Sequence, residues 1–137
     1  MVPEVERTVR LAIPARPEFV SVARHALEGL AGLRGLPPET VADLKLALTE
    51  ACANAVNHAY GGAAGTIDVV FELSADRIAF EVADKGLGFA LEPGAAGEAG
   101  ESGLGLTIVR ALADELEIGA RDERGGSRLR FVKLLPA

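Results

Sequence analysis

Residues 49–58 read TEACANAVNH, and Glu50, Asn54, Asn57 and His58 interrupt a stretch that is otherwise alanine, cysteine and valine. On a helix, offsets of four, seven and eight residues from Glu50 bring all four side chains onto one face. That face is either a solvated stripe or one wall of a site. The opposite side of the same segment carries Val41, Leu44, Leu48, Ala51 and Ala55, an apolar stripe that predicts one long helix over residues 39–59.

The flanks extend the pattern in both directions. Val9, Leu11 and Ile13 alternate as in a half-buried strand over residues 7–13, ended by Pro14. Pro17 suits the first turn of a helix reaching Leu30, with Phe19, Val20, Ala23, Leu27 and Leu30 inward. Gly32, Gly35 and Pro37-Pro38 separate it from the long helix. Beyond Gly61-Gly62, residues 66–73 and 77–83 read as a hairpin around Ser74-Ala75-Asp76. Seven glycines fall in residues 84–105, a loop long enough to expect function in it. A third helix is expected over residues 104–116, and two strands, 117–120 and 128–134, around Arg124-Gly125-Gly126. This order predicts an α+β fold over residues 1–137 as one domain. It is a two-layer sandwich of a mixed, mostly antiparallel sheet with helices on one face.

Bulk composition narrows the function. Across 137 residues, 49% are hydrophobic and 25% charged, the balance of a globular chain. A net charge of -6 offers no basic footprint for direct nucleic-acid binding. One cysteine, Cys52, excludes an intramolecular disulfide and suits a reducing cytoplasm. No apolar run has the length of a membrane helix, and the N-terminal residues lack signal-peptide character. The expectation is a cytoplasmic protein without a membrane partner.

Three segments carry chemistry: the Glu50/Asn54 face, Val82-Ala83-Asp84-Lys85-Gly86-Leu87-Gly88, and Gly103-Leu104-Gly105-Leu106. Each has a plain structural reading as solvated helix surface, turn glycines or a loop end. Neither a Gly-x-x-x-x-Gly-Lys-Ser/Thr loop nor a dinucleotide-binding glycine fingerprint is present. In this order, however, the three segments resemble the N, G1 and G2 boxes of the GHKL ATPases. The stretch from Glu50 to Tyr60 most resembles the bacterial anti-sigma-factor serine kinases of that superfamily. The resemblance spans nearly the whole chain.

The resemblance implies ATP and Mg²⁺ as cofactors, and the residue types suit the implied roles. Asp84, an acceptor-only carboxylate, can take a hydrogen bond from the exocyclic amine of adenine, which Gly86 and Gly88 let the backbone approach. Asn54 offers an amide oxygen for Mg²⁺. Gly103, Leu104, Gly105 and Leu106 would present backbone amides to the triphosphate at a helix start. Glu50 would act on the attacking hydroxyl. Arg24 occupies the place of a family arginine near the phosphates, and Ser127, after Gly126, stands where the family has a threonine beside the base. Residues 89–102 would form a short ATP lid. For Asn57 and His58 a supporting or merely solvated place is the simpler reading, and His25 reads as a surface histidine rather than a phosphoacceptor.

The resemblance also implies partners: an anti-sigma-factor antagonist protein that is phosphorylated on serine, a sigma factor that is sequestered, and a second copy of the chain in a homodimer. Two other functions fit the same boxes. One is a switch kinase in a stress-signalling complex, the other a non-catalytic ATP-sensing module. Glu50 beside Asn54 argues against the last, since a pure binder has no need of the acid.

Overall fold

The computed structural model describes residues 5–58, 65–85, 100–123 and 125–135. In chain order these are β1 (Val5–Pro14), a short 3-10 turn (Pro17–Phe19), α1 (Val20–Arg34), α2 (Pro38–His58), β2 (Thr66–Ser74), β3 (Arg77–Asp84), α3 (Gly100–Leu112), β4 (Glu115–Asp122) and β5 (Gly125–Leu134). The strands form one five-stranded sheet in the order β1-β2-β3-β5-β4, and every pairing is antiparallel.

Alternation along the strands assigns the two faces. Phe71, Phe80 and Phe131 lie in register across β2, β3 and β5, and the rings of Phe80 and Phe131 stack with centroids 4.7 Å apart. Ile67, Val69, Val82 and Leu129 extend this inner face, which is fully buried. The helices cover it with Ala23 and Leu27 of α1, Leu44, Leu48, Ala51 and Ala55 of α2, and Val109 of α3. α2 is the central element, packing against α1, α3 and the inner faces of β2 and β3. The outer face carries charge instead. Arg121 pairs with Asp68 at 2.6 Å, Arg128 with Glu81 at 2.9 Å and Arg130 with Glu72 at 2.8 Å. An antiparallel sheet with one packed and one solvated face reads this way.

Local signals explain the ends. Gly35 closes α1 in the left-handed conformation at φ 66°, its amide donating to the carbonyls of Ala31 and Gly32. Just before it, the Arg34 guanidinium donates to the carbonyls of Ser74 at 2.7 Å and Ala75 at 2.6 Å, tying the β2–β3 turn to α1.

The expected third helix, 104–116, is displaced four residues toward the N-terminus. Its last turn does not form because the Asp114 amide donates to Val132 and the Asp114 carboxylate accepts from the Leu134 amide. Residues 115 and 116 therefore belong to β4, which pairs from Glu115 to Asp122 rather than over 117–120. The first helix begins as a 3-10 turn at Pro17 and runs four residues past Leu30, since Gly32 sits in a helix without strain.

Candidate functional site

α2 supplies the first wall. Its inward residues are alanine, leucine and cysteine, so its polar side chains are conspicuous. Asn54 is only 5% exposed, and neither its Oδ1 nor its Nδ2 has a hydrogen-bond partner among the described residues. An unsatisfied buried amide costs about 1–3 kcal/mol. Glu50, one turn earlier, is half-buried. Asn57 is exposed, so the four-residue stripe divides, and the solvated reading holds for Asn57. Cys52 belongs to the core, where burial pushes its thiol up to about 12 and the neighbouring Arg24 lowers it slightly.

α3 supplies the second wall. Because α3 begins at Gly100, residues 100–102 of the expected lid are its first turn, and Gly103 comes at the end of that turn. The amides of Leu104, Gly105 and Leu106 are engaged inside the helix rather than bare at its start as expected. Gly105 is buried directly against Glu50: an ideal Cβ at position 105 would stand 2.9 Å from Glu50 Oε1. Leu106 is 7% exposed and contributes its side chain to the hydrophobic core.

The floor is the end of β3. Asp84 follows Phe80 and Val82 on the helix-covered face and is fully buried. Its register partners are Ile67 on β2 and Ser127 on β5, and Ser127 is 1% exposed. Two sequence-distant candidates, Asp84 and Ser127, thus become neighbours. Gly126 packs on the same strand end, with φ 76° and its Cα turned toward the Asp84 carbonyl. The pair Gly125-Gly126 reads as a turn in the sequence, and nothing in it signals this close approach.

Arg24 sits half-buried on α1 and acts electrostatically on Cys52 of α2. His25 is a surface residue whose Nδ1 lies 3.0 Å from the Ser21 carbonyl, as expected of an ordinary helix histidine. Gly86, Gly88, residues 89–99 of the expected lid and Tyr60 lie outside the described residues, as does the side chain of His58. Among the described residues there is no cluster of three metal-ligating side chains and no helix long and apolar enough to cross a membrane. A metal held through one asparagine oxygen needs no such cluster.

An antiparallel sheet under three helices is consistent with the fold of the GHKL-type ATPase domains. A family model described as "Histidine kinase-like ATPase domain" matches residues 13–133, and the chain belongs to that family. It is similar to the serine-protein kinase RsbW of Oceanobacillus iheyensis, 38% identical over an alignment of 123 positions that covers 80% of this chain and 77% of the relative. Its similarity to the serine-protein kinase RsbW of Bacillus pumilus is equal, 38% over 126 residues, covering 82% and 78%. In fold it resembles a crystal structure of the RsbU and RsbW domains of a Mycobacterium tuberculosis protein. The TM-score is 0.70 at 22% identity, over 96% of this chain and 33% of that one.

Proposed function

We propose that the chain is an ATP-dependent protein serine kinase and anti-sigma factor. It phosphorylates a serine of an anti-sigma-factor antagonist and sequesters a sigma factor. The observation that carries this reading is the pairing on α2 of a buried asparagine lacking any partner among the described residues with a carboxylate one turn away that faces α3. The relatives, named as serine-protein kinases, point the same way.

In this reading Asp84 accepts from the adenine amine, with Ser127 beside it on β5. Gly86 and Gly88 give the base its close backbone approach. The free amides at the start of α3 would meet the phosphates, and Arg24 of α1 adds a positive charge. Asn54 Oδ1 would hold Mg²⁺, which when bound would neutralise phosphate charge. The carboxylate of Glu50 takes the proton from the acceptor serine as its oxygen bonds to the γ-phosphorus, and ADP leaves with the broken bridging bond. The chain works as a homodimer in the cytoplasm, and it contacts neither nucleic acid nor membrane directly.

The test is capture of partners from the native host, with and without Mg-ATP, followed by mass spectrometry. The reading expects a small acceptor that gains phosphoserine only with ATP, and a sigma factor in the same captures. Capture of the acceptor with no phosphoserine formed under Mg-ATP would leave a binding module rather than a kinase.

A further inference from the structure

Gly105 is a glycine that its backbone does not require. It lies inside α3 with ordinary helical dihedrals, unlike Gly35, Gly125 and Gly126, which hold positive φ. Alanine in a helix interior is more favourable than glycine by about 1 kcal/mol, so a buried helical glycine needs another reason. For Gly29 and Gly32 in α1 a Cβ would meet nothing within 4 Å among the described residues. At Gly105 the three nearest atoms all belong to Glu50: Oε1 at 2.9 Å, Cβ and Cδ at 3.9 Å. Among the described residues no backbone obstructs this position. A methyl group there would be accommodated by turning the free end of Glu50 away.

We infer that Gly105 is a positioning residue for phosphate transfer: its missing side chain leaves the space in which the Glu50 carboxylate stands to meet the attacking hydroxyl. This rests on the role proposed for Glu50 and deepens it. A general base works within hydrogen-bond reach of its proton, and a displacement of about 1 Å can cost roughly 10²-fold in rate. The glycine would therefore serve the chemical step rather than the fold or the nucleotide.

The experiment is a double-mutant cycle on the full chain with Gly105→Ala, Glu50→Ala and the double variant. Single-turnover transfer from γ-labelled ATP to the co-purifying serine acceptor is measured beside calorimetric ATP affinity and thermal melting. Gly105→Ala is expected to melt at or above the wild-type temperature, to bind ATP within about three-fold, and to transfer phosphate roughly 10–100-fold more slowly. The double variant is expected to transfer no more slowly than Glu50→Ala alone, because both changes remove the same carboxylate from the same place. Wild-type transfer by Gly105→Ala, multiplied losses in the double variant, or a loss of ATP affinity matching the loss of transfer would overturn the inference while leaving Glu50 as the base. Wild-type transfer by Glu50→Ala would instead remove the role of Glu50, and that of Gly105 with it.

Discussion

Gly126 packs so closely on Asp84 that a Cβ at position 126 would run into the Asp84 main-chain carbonyl, with the Lys85 Cα 3.1 Å away. The obstacle is backbone and cannot swing aside, and φ at Gly126 is 76°, where L side chains are strained. Gly126→Ala should destabilise the protein by about 1–3 kcal/mol and weaken ATP binding by displacing the end of β3. Gly32→Ala in the open interior of α1 should do the reverse, stabilising by about 0.5–1 kcal/mol. Denaturant titration of both variants gives the comparison, and equal stabilities would contradict it.

Asp84 tests the nucleotide assignment. It is fully buried on the inner face, so an amide in its place can turn a donor toward the adenine amine. Asp84→Asn should lose about 1–3 kcal/mol of ATP affinity by calorimetry. Unchanged affinity would mean that Asp84 does not read the base.

Asn54 makes a prediction of opposite sign for stability and function. Its amide has no partner among the described residues while only 5% exposed, so the free protein gains nothing from its polarity. Asn54→Leu should melt no lower than wild type without ligand, yet lose the rise in melting temperature that Mg-ATP produces in wild type. A variant that melts lower alone and still responds to Mg-ATP would show a structural amide.

Cys52 should contribute to a decline in stability at alkaline pH. Its thiol rises from 9.0 to about 12 because burial disfavours the thiolate. The folded state therefore holds a proton that the unfolded chain releases from about pH 9 upward. This contribution to stability is complete below pH 9 and is lost as pH rises toward about 12. The slope is about 1.4 kcal/mol per pH unit from this group. Cys52→Ala should show a shallower alkaline decline in denaturation free energy, and a thiol reagent should reach Cys52 only on unfolding.

Much of this was legible in the residues, for definite reasons. Strand alternation and the apolar stripes of α1 and α2 report burial directly, so the two-layer plan and most of its core follow from periodicity. Phe19, expected inward, is exposed in the 3-10 turn before α1, and Val41 is only half-buried. The candidate site was expected from order: acid then asparagine on a helix, acid then glycines after a strand, glycines at the next helix. The structure sets Glu50 against Gly105 and Asp84 beside Ser127. What escaped depends on tertiary contact. The end of α3 is decided by Asp114 joining Val132 and Leu134, residues about 20 positions away. The division of the polar stripe, with Asn54 buried and Asn57 exposed, follows from what covers α2 rather than from helical angle. The approaches of Gly126 to Asp84 and of Gly105 to Glu50 leave no local trace, because a glycine in a turn or a loop end looks the same whether or not something stands against it.

The central claim is that Glu50 acts on the attacking serine hydroxyl while other residues hold ATP. Single-turnover phosphorylation of the captured acceptor by Glu50→Ala, beside an ATP titration, tests it most directly. The account predicts ATP affinity within a few-fold of wild type and a fall in transfer of about 10²–10⁴, the size of a general-base contribution. Transfer at the wild-type rate would contradict it and leave the chain a nucleotide-responsive binding protein.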